Sequence, residues 1–167
     1  MAPTVAQLVE HYGLQPHPEG GFYAESYRAA SQVEAEHGTR CASTVIYFLI
    51  TPGSVSRLHR LAHTDEGWHF YLGSPMTVLE ISPEGTLTKT TLGQDVLAGQ
   101  SVQHVVKKGT WFGSYPNDAA EGSYSLVGCT VAPGFEFADF ELASRATLSA
   151  ECPQHAAEIE KLTEGLP

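Results

Sequence analysis

From Ser43 to Leu142 the chain is a succession of short apolar runs, each too short for an ordinary helix and each closed by turn residues. The runs fall at 43–50, 54–60, 66–72, 76–81, 86–91, 101–106, 110–115, 123–131 and 135–142. Between them stand Pro52-Gly53, Gly73-Ser74-Pro75, Ser82-Pro83-Glu84-Gly85, Lys108-Gly109, Pro116-Asn117-Asp118 and Pro133-Gly134. Strands at this spacing, with no long helical segment to carry a parallel crossover, pair antiparallel and close into a sandwich or barrel. The run Ser43 to Ile50, rich in Val, Ile, Tyr and Phe, has the composition of a central strand covered on both faces.

The flanks are different. Thr4 with Gln7 has the form of a capping box, and Val5, Leu8, Val9 and Tyr12 recur at helical spacing before Gly13, which predicts an amphipathic helix over 4–12. The stretch Leu14-Gln-Pro-His-Pro-Glu-Gly-Gly21 cannot continue it and reads as an irregular lead-in to a strand, Phe22 to Arg28. On that strand Tyr23, Glu25 and Tyr27 share one face. Residues 29–39 lack periodicity and read as an exposed loop, and a helix is expected over 153–163, with Pro153 at its start and Gly165 beyond its end. No repeat or linker divides the chain, so a single domain over 1–167 with its barrel at about 21–143 is expected.

Nine Lys and Arg against 19 Asp and Glu give a net charge of -10, which disfavours nucleic acid and anionic membranes as partners, since both require a basic surface. Cys41, Cys129 and Cys152 are an odd number without C-x-x-C spacing, so a reducing, cytoplasmic setting is expected, and Cys129 reads as a buried small hydrophobe. No stretch has the length or hydropathy of a membrane span.

Chemistry is concentrated between Gly53 and Gly73, where His59, His63, His69, Asp65, Glu66 and Trp68 lie within one short segment. Glu66, Trp68 and Phe70 share a strand face, and a carboxylate on a face with two aromatics is expected inside, with a perturbed pKa. His69 and Tyr71 belong to the opposite face, and His63 and Asp65 to a solvated turn. Glu136, Asp139 and Glu141 read as a solvated acidic face. The glycine, histidine and glutamate spacing resembles the first motif of the cupins, in which two histidines and a glutamate hold a divalent metal inside a small jelly roll. His59 and Glu66 match that pattern. Leu61 stands at the second histidine's position, and Trp111 and Phe112 follow Gly109 where a further histidine is expected. The resemblance leaves the cofactor open between a divalent transition metal on His59 and Glu66 and none.

A closer resemblance runs through PEGGFYAESYR, STVIYFLI, SRLHRLAHTDEGWHFYLGSPM, VVKKGTWFGS and LVGCTVAPGFEFADFELA, which together look like the successive motifs of the cupin family DUF985. It implies an all-β cupin jelly roll with short terminal helices, a homodimer, and a small-molecule pocket at the barrel mouth. The segment GGFYAE and the triplet Arg57-Leu58-His59 are also similar to the dTDP-4-dehydrorhamnose 3,5-epimerases, metal-independent cupins in which an acid-oriented histidine removes a proton beside a ketone. That similarity matches His59 to the base and leaves its orienting acid among Asp65, Glu66 and Asp139; Glu66 is taken as its partner or as a metal ligand. Tyr23 and Glu25 become ligand contacts at the mouth, and Trp68, Gln103 and Trp111 walls of the pocket. Arg57, or in its place Arg28 or Arg60, would meet the anionic end of a nucleotide sugar. The expected ligand is small and polar, carbohydrate or nucleotide sugar. The alternatives are a metal-dependent isomerase or oxygenase and a ligand-binding or storage-like cupin without turnover.

Overall fold

The computed structural model describes residues 2–165. Two antiparallel sheets face one another across an apolar interior. The first is six-stranded, in the order β1 (Gln15–Pro16), β2 (Phe22–Arg28), β5 (Thr44–Ile50), β12 (Ser125–Val131), β7 (Glu66–Gly73) and β10 (Gln103–Val106). The second is five-stranded, in the order β13 (Phe140–Leu142), β6 (Ser56–Leu61), β11 (Trp111–Pro116), β8 (Met76–Ile81) and β9 (Leu87–Leu92). Each apolar run of the sequence therefore contributes a strand, and the turn residues fall at the strand ends or between them.

Alternation along the strands stratifies the interior. Phe48, Ile50, Trp68, Phe70, Met76, Val78, Phe112 and Val127 point inward and fill one end of the barrel. The outer face of the first sheet is covered by α1 (Val5–Tyr12), whose Leu8 packs with Leu14, Leu49, Tyr124 and Leu126. The capping box forms as the sequence predicts: the Gln7 backbone N–H donates to Thr4 Oγ1 and the Thr4 N–H donates to Gln7 Oε1. The outer face of the second sheet carries Leu58, Leu79 and Ile81 and is covered by α2 (Arg145–Glu151) and α3 (Ala156–Lys161) through Leu148 and Ile159.

Three segments depart from the sequence reading. Residues 29–39 are not a plain loop: β3 (Gln32–Ala35) pairs with β4 (Gly38–Cys41) in a separate hairpin. The tail is two helices joined by a 3-10 turn, Pro153–His155, so the helix expected over 153–163 begins as 3-10 and is preceded by α2. Ser144 caps α2 by accepting the Thr147 N–H, a signal without the glutamate or glutamine that marked the first helix. Finally, β2 carries an irregularity between Glu25 and Tyr27, so its alternation breaks there. Tyr27 is turned to solvent and Arg28 takes the inward side instead.

Candidate functional site

At the end of the barrel opposite Trp68 and Phe70 lies a cavity of about 270 Å³, walled by β2, β5, β7 and β12, the lead-in before β2, and residues 135–140. Its polar centre is His59, which enters from β6 with its ring against Phe112 and Phe140, at centroid distances of 4.1 and 5.2 Å. His59 is 2% exposed. Its Nδ1 lies 2.7 Å from the Arg57 carbonyl, which can only accept, so Nδ1 carries a proton. Its Nε2 lies 3.0 Å from Glu19 Oε2.

The acid that orients His59 is thus Glu19, from the irregular lead-in, and not Glu66. Glu19 is buried, and its Oε1 accepts a hydrogen bond from the buried Ser56 hydroxyl at 2.8 Å. The lead-in reaches it by lying against β6: the Arg57 N–H donates to the Glu19 carbonyl at 2.7 Å, and the Arg57 guanidinium donates to the carbonyls of Pro18 and Glu164. Gly20, with φ of 110°, allows this approach, because a Cβ there would stand 2.0 Å from the Val55 carbonyl oxygen. Burial alone would push Glu19 up and His59 down, but their mutual attraction and hydrogen bond prevail: Glu19 is held below its ordinary value and His59 above it. The two form a buried ion pair with both imidazole nitrogens donating.

His17 and Glu66 complete the interior. His17 Nδ1 accepts the Glu19 backbone N–H at 3.2 Å, and burial holds this histidine below its ordinary pKa, so its 3.7 Å approach to the Glu19 carboxylate is that of a neutral ring. Glu66 opens β7 opposite Val131, with the Cys129 thiol beside it. Burial pushes the Glu66 carboxyl up to about 7; His59 opposes the shift and Glu19 adds to it. Burial and the neighbouring carboxylates push the Cys129 thiol well above its usual range, consistent with an inert small side chain.

The rim is aromatic and acidic. Tyr23, Glu25 and Arg28 line it from β2, and Phe135, Glu136, Phe137 and Phe140 from the segment facing it. The Arg28 guanidinium spends its five N–H groups on Glu25 (two), Glu136, the Phe135 carbonyl and the Cys41 sulfur. Asp139 is buried, not solvated: Arg40 of the hairpin grips both its oxygens at 2.8 Å and holds it below the ordinary carboxylate range. The hairpin residue His37 stacks on His63 at 4.3 Å, so His63 is partnered as well as exposed.

Of the residues singled out in the sequence, the cavity brings together His59, Glu66, Tyr23 and Glu25. Four others lie elsewhere. Trp68 follows Glu66 by two residues on the same face, about 7 Å deeper, and is core packed on Phe48 and Phe112. Trp111 alternates with the inward Phe112 and therefore lies on the outer face, under the Arg60 guanidinium at 4.4 Å. Gln103 is exposed, and its neighbour His104 bonds Glu80 instead. Arg57 braces the Glu19 segment from outside the cavity. Missed were Glu19, His17 and the aromatic segment; the surviving signal was His-x-Glu immediately before two glycines. A metal on His59 and Glu66 does not fit this donor set. Both His59 nitrogens are committed, and no group of three His, Cys, Asp or Glu among the described residues is arranged to hold an ion. Among the described residues no helix is long and apolar enough to cross a membrane.

Comparison with known proteins agrees with the fold. The sequence profile described as Cupin superfamily (DUF985) matches residues 6–143. A protein of Shewanella oneidensis with a crystal structure is 43% identical, with a TM-score of 0.88 over 96% of this chain and 98% of that one. A Leishmania major protein is 37% identical, also with a TM-score of 0.88 over 96% and 98% of the two chains. More distantly, a dTDP sugar isomerase of Desulfovibrio desulfuricans shares the fold at 16% identity, with a TM-score of 0.52 over 72% of this chain and 83% of its own.

Proposed function

The chain belongs to the DUF985 family of the cupin superfamily, and from that premise we propose that it binds a small polar carbonyl compound, carbohydrate-like in class, in the barrel and moves a proton on it, as an isomerase or epimerase does. The observation that carries this reading is Glu66: a carboxyl buried on the cavity wall with its pKa pushed up to about 7, poised to exchange a proton near neutrality. His59 is then a positioning residue and a fixed positive charge, since neither of its nitrogens has a free lone pair.

In this scheme the Glu66 carboxylate accepts a proton from the carbon beside the carbonyl, and the C–H electron pair moves into the carbonyl to give an enolate. Tyr23 and the Nε2–H of His17 line the same cavity as neutral donors for the developing oxyanion. Protonation of the same carbon on the opposite face by solvent water, with the Glu66 proton released to solvent, gives the epimer; on a 2-hydroxy carbonyl compound, transfer of the hydroxyl proton to the former carbonyl oxygen and of the Glu66 proton to the former carbonyl carbon gives the isomer. Solvent deuterium incorporation into a panel of hydroxy- and amino-carbonyl compounds, followed by NMR, tests the scheme. Exchange is expected to rise with pH as Glu66 ionises through about 7, and Glu66→Gln is expected to lower it by about a hundredfold or more. Unchanged exchange in Glu66→Gln would sink the assignment. Ligand-induced thermal stabilisation without exchange would instead identify a binding protein without turnover.

A further inference from the structure

The rim arginine invites a phosphate or carboxylate ligand, yet its hydrogen bonds leave it nothing to offer one. Its five N–H groups are all taken by protein acceptors, and two of those acceptors are carboxylates, Glu25 and Glu136, at 2.9 and 2.7 Å. Two negative groups against one positive leave the rim with a net charge of -1. Deeper in, Glu19 and His59 cancel, His17 is neutral, and Glu66 adds negative charge when it ionises. No cationic N–H that lines the cavity is left for an anion. Around the same opening stand the faces and edges of Tyr23, Phe135, Phe137 and Phe140, with His17 4.5 Å from Tyr23 and Phe135 5.0 Å from Phe137. Phe137 is 52% exposed, a large apolar ring at the mouth.

An aromatic ring system backed by carboxylates is the arrangement that binds organic ammonium groups, because the negative ring faces attract a cation whose charge is spread over alkyl groups and cost little to desolvate. We propose that the barrel site selects a small organic cation, an ammonium-bearing molecule, and excludes phosphorylated and carboxylated ligands. This rests on the reading of the cavity as a ligand site and narrows its substrate class, placing a nucleotide sugar outside it.

The test uses three molecules of matched shape: choline, its uncharged isostere 3,3-dimethylbutan-1-ol, and the anion 3,3-dimethylbutanoate, titrated into the full chain by calorimetry and by NMR of the cavity histidines. Choline is expected to bind about tenfold or more tightly than the alcohol, and the anion not at all. Glu136→Gln, at a half-buried rim position where the amide oxygen can still accept from Arg28, is expected to weaken choline by about threefold or more. Equal binding of choline and the alcohol, tighter binding of the anion, or no effect of Glu136→Gln overturns the charge selection while the cavity remains a ligand site. Binding of none of the three, with the histidine signals unmoved, overturns both this proposal and the ligand-site reading beneath it.

Discussion

Glu66→Gln is expected to be more stable than the parent protein at neutral and alkaline pH, by about 3 kcal/mol, while losing its proton-transfer function. The magnitude follows from the rise from 4.5 in the unfolded chain to about 7 in the fold, at about 1.4 kcal/mol per tenfold change in the ionisation constant. Its direction follows from linkage: because the folded-state pKa is raised, the favourable contribution of the protonated carboxyl is complete below about pH 4.5 and is lost as the pH rises through about 7. The parent should therefore weaken across that window and level off above it, whereas the amide, which cannot ionise, should not. Denaturant midpoints measured from pH 4 to pH 9 for the two proteins check this. Parallel curves across the window would mean that Glu66 is solvated and not the buried acid described. The neighbouring Glu19–His59 pair adds its own slopes to both proteins, with His59 held less high in Glu66→Gln, because the Glu66 charge is one of the groups that raise it. Glu19, with its pKa depressed, supports the fold above its unfolded value and fails in acid; His59, raised, supports it below its unfolded value and fades as the pH passes its folded one.

Gly20→Ala is expected to be the most damaging single methyl group that can be added near the site. It places a Cβ 2.0 Å from the backbone oxygen of Val55, at a φ of 110° that other residues rarely adopt. The colliding atom belongs to the backbone and not to a flexible side-chain end, so the loop must lift away from β6. Lifting it strands the His59 imidazolium without Glu19 and breaks the Ser56 hydrogen bond. A cost of about 3–5 kcal/mol, read as a fall in Tm of roughly 10 °C, is expected, as is the loss of any ligand-induced stabilisation. A variant with the parental Tm would show that the lead-in does not press on β6 as described. The same substitution at Gly53 or Gly99, where no atom lies within 4 Å, shares the positive φ but not the collision and separates the two causes.

What could be read in the sequence was whatever depends on local periodicity. Alternating runs and Gly/Pro separators placed the strands, Thr4 and Gln7 placed α1, and parity placed Glu66 inside. What could not be read depends on contacts between distant segments. Glu19 lies in a stretch with no period, and its role arises because two glycines fold that stretch against a strand 37 residues away. Arg28 reaches the rim because the irregularity in β2 reverses the alternation that put Tyr27 there. Trp68 and Trp111 were misplaced for opposite reasons. One has the right parity at the wrong depth, and depth along a barrel is invisible to a period of two. The other has the wrong parity, which follows from Phe112 packing on His59. Gln103 faces solvent because it pairs with His69, on the outer face of β7.

The strand that bears His59 is held by Ser56 to Glu19, 37 residues earlier, and by Arg57 to Glu164, 107 residues later. Contacts that close such large loops are entropically the slowest to gain. The chemistry of this protein is therefore assembled after its local hairpins: β8 and β9 can pair while the site is still open. Hydrogen exchange pulsed during refolding is expected to find the amides of Arg57 and Leu58, bonded to Glu19 and Leu162, protected after those of the β8–β9 hairpin.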